Sequence, residues 1–287
     1  MTYTPVAIFN VLFVQYKLDK RAYKRYTDLL DSGNDEQLDK GVKITSLKSD
    51  ISCNRLRFLY DNRVIIDNLD LNIRQGENLA LVGESGSGKS TLIKLLSGLL
   101  KPQGGKLSIG RYDLSSIDLN SYYDYITYIP QESPIFDGTL RENLVFDKNV
   151  DDQEIIKALE QVELLDLYNK LDKGLDTELG ERGTILSGGE RQRLALARLW
   201  FSQADLVILD EATSAMDNIT EEIVMNRVMD LLQTQTVIVI AHRLSSIRNF
   251  EHIVVLREGR IVGQDSFTKL LENNTYFRDL YSTSIAN

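Results

Sequence analysis

In the run Gly83-Glu84-Ser85-Gly86-Ser87-Gly88-Lys89-Ser90-Thr91, the first eight residues have the spacing GxxxxGK[ST]. Glycines here let the backbone curl so that successive N–H groups converge on phosphate oxygens. A helix opening directly afterwards would add the partial positive charge of its N-terminus at the same point. Lys89 is then placed to reach the outer phosphates, and the Ser90 hydroxyl to ligate a Mg²⁺ ion shared with them. The carboxylate pair Asp210-Glu211 could complete such a site. The first acid would hold the metal, and the second would orient or deprotonate an attacking water. His242 could hydrogen-bond the terminal phosphate or that water, although a lone histidine is more often a satisfied structural side chain.

Each of these groups stands where an element should present it. Leu79-Ala80-Leu81-Val82 is a short all-apolar run, the pattern of a strand buried on both faces, and the glycine loop follows it directly. A helix is predicted next, with Leu92, Leu95, Leu96 and Leu99 on one face and Pro102 and Gly104-Gly105 as its stop. A second apolar run, Leu206 to Leu209, ends in Asp210-Glu211. A third, Thr236 to Ile240, leads into Ala241-His242-Arg243. Between them a helix is expected over Glu221 to Leu232, giving the βαβ alternation of a parallel sheet. Upstream, Leu56, Phe58 and Tyr60, and then Leu69, Leu71 and Ile73, alternate as strands do.

Composition narrows the chemistry further. The 287 residues carry 33 Lys+Arg against 42 Asp+Glu, a net charge of −9, and the pI is near 4.9. Such a chain offers no overall electrostatic footprint for a phosphate polymer, although a local basic groove stays open to one; no nucleic-acid partner is expected. The single Cys53 excludes an intrachain disulfide and a cysteine zinc site. With only His242 and His252, a multi-histidine metal centre is not expected either. At the N-terminus, Val6 to Tyr16 is almost wholly apolar but shorter than the roughly 20 residues of a membrane span. The basic cluster Lys17, Lys20, Arg21, Lys24, Arg25 follows it, as the positive-inside rule places charge on the cytoplasmic side of a span. These residues by themselves fit either the end of a truncated span or an amphipathic helix. Residues 31–41 are polar and turn-rich, and read as a linker.

Taken together, the residues closely resemble the nucleotide-binding domain of ATP-binding cassette (ABC) transporters. Leu186-Ser187-Gly188-Gly189-Glu190-Arg191-Gln192-Arg193 looks like that family's signature, with Glu190 where most members have Gln. The resemblance covers roughly residues 42–280. It implies an α/β fold with three parts: a P-loop NTPase core built on a mostly parallel sheet, an N-terminal antiparallel β subdomain, and an inserted helical signature subdomain at roughly 132–202. Tyr60 resembles the aromatic that stacks on adenine, the other reading being an ordinary core tyrosine. Gln131 resembles the hinge glutamine that touches Mg²⁺. Ser214-Ala215-Met216-Asp217 resembles the loop that crosses a dimer interface, with Met216 for the usual Leu. The implied assembly is a head-to-tail pair of cassettes sandwiching two ATP molecules. In it Ser187, Gly188, Gly189 and Glu190 of one subunit would face the γ-phosphate held by Lys89 of the other.

Two stretches, Phe136 to Asn143 and Thr177 to Gly183, look like exporter-type cassettes. On that resemblance, residues 1–41 are expected to be the helical extension of a truncated last membrane span plus linker, and 42–287 the cassette. The implied function is ATP hydrolysis coupled to export, at the cytoplasmic face of a membrane, with a membrane domain and a second cassette as partners. The competing reading is a soluble ABC-type ATPase acting on a non-membrane partner. Such relatives carry a long coiled coil or two cassettes per chain, and neither is present in this sequence. Gly263 to Phe267 departs from the exporter pattern and is expected to be peripheral packing.

Overall fold

The computed structural model of the chain describes residues 40–286 except 147, 181, 182, 242 and 245. The expected N-terminal helix, the linker up to residue 39, and His242 lie outside the described residues. The described residues from Gly41 onward form one compact unit.

Strands β1 (Ile51–Tyr60) and β2 (Arg63–Ile73) form an antiparallel hairpin across Asp61-Asn62. The next strand, β3 (Asn78–Val82), enters the glycine loop and then α1 (Lys89–Leu96). After β4 (Gly104–Ile109) and β5 (Tyr112–Asp113) come α2 (Leu119–Tyr123) and β6 (Ile126–Ile129). Four helices follow: α3 (Leu140–Val145), α4 (Asp152–Gln161), α5 (Leu165–Tyr168) and α6 (Gly188–Ala197). The chain then returns to the core through β7 (Leu206–Asp210), α7 (Asn218–Leu231) and β8 (Thr236–Ile240). It finishes with the hairpin β9 (His252–Arg257) and β10 (Arg260–Asp265), then α8 (Phe267–Asn273) and α9 (Thr275–Ala286).

Two sheets result. A four-stranded antiparallel sheet runs β2-β1-β4-β5, and a six-stranded sheet runs β10-β9-β3-β8-β7-β6. All pairings in the larger sheet are parallel except β9 with β10. The two-residue period of a strand explains how its core divides. Ala80, Val82, Val207, Leu209, Val237 and Val239 face one hydrophobic cluster, shared with α3, α4, α6 and α7. Their neighbours Leu79, Leu81, Leu206, Ile208, Ile238 and Ile240 face a second cluster, shared with α1 and the antiparallel sheet. The all-apolar runs are therefore all-apolar because both faces of the sheet are covered. Each buried Val, Leu or Ile among them contributes on the order of 1.5–3 kcal/mol by leaving water.

Two expectations shift. Helix α1 ends at Leu96, with Ser97 as its C-cap, and the chain turns at Ser97-Gly98. Leu92, Leu95 and Leu96 are buried, whereas Leu99 leaves the stripe and is 55% exposed. Helix α7 begins at Asn218, earlier than the apolar pattern indicates, because the Asp217 carboxylate accepts from the N–H groups of Ile219 and Thr220.

Candidate functional site: a glycine-loop cleft at the strand ends

Parallel pairing aligns the carboxyl ends of neighbouring strands, and ligands in such sheets bind just beyond those ends. Leu81 pairs with Ile240, Ile240 with Asp210, and Leu209 with Ile129. Residues two steps past a paired position therefore emerge together. Gln131 follows Ile129 as Glu211 follows Leu209, and the Gln131 Nε2 donates to Glu211 Oε2 at 2.7 Å. Both line a cleft of roughly 730 Å³ with Gly83, Glu84, Ser85, Gly86, Gly88, Lys89, Ser90 and Thr91.

The loop is shaped for close approach. A Cβ on Gly83 would fall 2.2 Å from the Leu256 carbonyl oxygen, so only glycine fits there. Gly86 has φ +79° and nothing within 4 Å of where a side chain would begin, which leaves a space over the loop backbone. Ser87 Oγ is buried without a hydrogen-bond partner. Lys89, only 9% exposed, donates from Nζ to the carbonyls of Gly83 at 2.8 Å and Glu84 at 2.9 Å. Burial lowers its pKa, opposed by the attraction of Glu211 and Asp210. The open cradle, the orphaned hydroxyl and a buried cation beside two acids fit a polyphosphate with its divalent cation. Ser90, Asp210 and Gln131 supply oxygens of the hard type Mg²⁺ takes.

Glu211 stands in left-handed backbone at φ +50°. That conformation costs a side-chain-bearing residue about 1–2 kcal/mol. Its N–H still donates to the Ile240 carbonyl at 3.1 Å, so the strand ladder holds the residue while the chain turns away. Asp210, 7% exposed, accepts from the Tyr128 hydroxyl at 2.9 Å.

The remaining expected residues sit apart from this cleft. Tyr60 is 43% exposed, packed edge-on against Phe58 at 5.0 Å, and is no core tyrosine. Ser187, Gly188, Gly189 and Glu190 open α6. Ser187 Oγ accepts from Glu190 N–H at 3.3 Å, and Glu190 Oε2 accepts from Ser187 N–H at 2.7 Å. This reciprocal capping box satisfies two helix-end donors. The two exporter-like stretches meet: Thr139 bridges Glu178, and Leu179 N–H donates to the Gly138 carbonyl.

Several neighbours of the site carry no short motif and escape sequence reasoning. Tyr128 is one, and Arg63 is another, lining the cleft from the start of β2. Asp279, Thr283 and Ser284 of α9 also line it. The Gly263 to Phe267 segment matters here. Phe267 is buried and stacks edge-on with Phe277 and Tyr281 of α9, so it anchors a helix that reaches the cleft. The helical pattern of Phe277, Leu280 and Tyr281 was the available signal.

A parallel-sheet core with a glycine loop at the strand ends defines a P-loop nucleotide-binding domain. Residues 66–214 match the ABC transporter family model, and the chain belongs to that family. It is 39% identical over 253 residues to the leukotoxin translocation ATP-binding protein LktB of Mannheimia haemolytica, and equally to the protein of that name from Bibersteinia trehalosi. These alignments cover 87% of this chain and 36% of each relative. Among solved structures, a bacterial Atm1-family ABC exporter with ATP bound superposes with a TM-score of 0.80 at 31% identity. That match covers 86% of this chain and 44% of the exporter chain. The chain thus spans well under half the length of these relatives. Among the described residues, no helix is long and apolar enough to cross a membrane.

Proposed function

We propose that the chain is the ATP-hydrolysing cassette of an ABC exporter, converting ATP and water to ADP and phosphate to drive export across a membrane. The observation that carries this reading is the Gln131–Glu211 pair at 2.7 Å, set in the same cleft as Lys89 and the glycine loop. The relatives named as a translocation ATP-binding protein and an exporter support it, and nothing observed favours a soluble ATPase with another partner.

In this reading residues 42–287 are the cassette, with its helical subdomain at roughly 132–202, and residues 1–41 connect it to a membrane domain. The backbone N–H groups from Gly83 to Thr91 and the start of α1 bind the phosphates, and Tyr60 stacks on the adenine. Bound Mg²⁺ would neutralise phosphate charge, held by Ser90, Asp210 and Gln131. Glu211 takes a proton from the attacking water, and Gln131 holds that carboxylate in place. His242 hydrogen-bonds the γ-phosphate and the water. Ser187, Gly188, Gly189 and Glu190 bring a second helix N-terminus to the γ-phosphate of a partner cassette, head to tail. Asp217 lies in the loop that crosses between the two. Closure excludes water, and hydrolysis removes the phosphate bridge so that the pair reopens at the cytoplasmic face of the membrane.

The test is Glu211→Gln. Glutamine keeps the volume and still accepts from Gln131 through its own Oε1, so only the base is lost. ATP binding should persist while hydrolysis slows by about 10²–10⁴-fold. Turnover near that of the parent would remove Glu211 from the role.

A further inference from the structure

A buried amide where three segments meet extends this reading. Gln192 lies on α6 behind the Ser187 cap and is 5% exposed. Its Oε1 accepts from Ala215 N–H at 2.8 Å. Its Nε2 donates to Ser214 Oγ at 3.0 Å and, more weakly at 3.4 Å, to the backbone carbonyl of Gln131. A backbone N–H can only donate, so the amide atom facing Ala215 must be oxygen. That fixes the orientation and sends both amide N–H groups towards Ser214 and Gln131. A carboxylate in this place lacks the donors, and a thioether lacks the donors and is only a weak acceptor.

The segments joined here are the ones the cleft depends on. Gln131 is bonded to Glu211, Ser214 and Ala215 stand three and four residues after Glu211, and α6 carries the Ser187 to Glu190 cap. The same turn is held at a second point, where Glu221, 6% exposed, accepts from Thr213 Oγ1 at 2.8 Å and pairs with Arg243. The turn after β7 is therefore tied by two buried side chains, Gln192 and Glu221, with the left-handed Glu211 at its head. A strained residue persists only where its surroundings over-determine it.

We propose that Gln192 is a positioning residue that holds the α6 N-terminus, Gln131 and Glu211 in fixed relation within one cassette. It touches no part of the phosphate cradle, so its influence falls on the aim of the carboxylate and not on nucleotide binding. This inference rests on the reading of the chain as an ATPase.

The experiment compares the full chain with Gln192→Met, Gln192→Glu, Ser214→Ala and the Gln192→Met/Ser214→Ala double variant. ATP affinity, kcat and Tm are measured for each. A parent without ATPase activity overturns the functional reading and this inference with it. With an active parent, Gln192→Met should keep parental ATP affinity while kcat falls by about 10–100-fold, the scale of a small misplacement of a reacting group. Gln192→Glu, which still accepts from Ala215, should lie between the two. Ser214→Ala should cost less kcat in the Gln192→Met background than in the parent, because the two side chains act through one bond. Parental kcat in Gln192→Met, equal losses of affinity and kcat, or additive effects of the two substitutions would each overturn the proposal. Should Gln192→Met not fold, Gln192→Glu and Ser214→Ala decide the matter: parental kcat in both overturns it, and reduced kcat at parental affinity supports it.

Discussion

Replacing Lys89 by methionine isolates a single interaction, because the methionine stem keeps the packing of the lysine methylenes and deletes only the ammonium. An ammonium has three donors. Two of them are engaged by the carbonyls of Gly83 and Glu84 at 2.8 and 2.9 Å, which leaves one to meet a phosphate oxygen. One hydrogen bond with a charged partner is worth about 1.5–3 kcal/mol. At 1.4 kcal/mol per factor of ten, ATP affinity should therefore fall by about 10–150-fold. Stability should respond much less. Burial already disfavours the charged lysine, as its lowered pKa records, so removing that charge relieves a cost as it removes two bonds. The assay is titration of Mg·ATP by calorimetry in a Glu211→Gln background, where turnover does not consume the ligand. Thermal melts of the same proteins without nucleotide complete it. An affinity change below about threefold, less than 1 kcal/mol, would refute the claim that the third donor of Lys89 faces the phosphates.

Two further outcomes are expected. Ser187→Arg should abolish ATP-dependent dimerisation in the Glu211→Gln background, read by light scattering, while monomer ATP binding persists. It also removes the cap on Glu190 N–H, so its stability should fall by about 1 kcal/mol, and dimerisation equal to the parent's would exclude the head-to-tail arrangement. Acid should weaken the fold through its helix caps. The Thr139 N–H and hydroxyl hold Glu142 below its usual value of 4.5. For Glu190 burial pushes upward, but the Ser187 bonds with Arg193 and Lys170 outweigh it. Groups held below their unfolded value stabilise the fold above that value and stop doing so as pH falls through the folded one. Tm should thus decline below pH 4.5, and less steeply in Glu142→Gln; an equal slope would remove Glu142 from the effect.

Whatever depends on neighbours along the chain was legible from the residues alone. The glycine loop was legible because its backbone conformations, its lysine and its hydroxyls are contiguous, and the apolar runs around it announce strands covered on both faces. Asp210-Glu211 could be placed at a strand end for the same reason, and Ser187 to Glu190 at a helix start. Which strand ends meet follows only from how the chain packs in three dimensions. Gln131 and Glu211 are 80 residues apart, and they touch because β6 lies beside β7 with Ile129 opposite Leu209. No local pattern encodes that strand order. The bonds of Tyr128 to Asp210 and of Gln192 to Ser214, and the arrival of α9 at the cleft, belong to the same class. A sequence motif can include such a residue, but its partner is set only when a buried polar atom finds one across the fold. Leu99 makes the converse point: its spacing continues the leucine stripe, but a stripe has meaning only while the helix lasts, and α1 stops at Leu96.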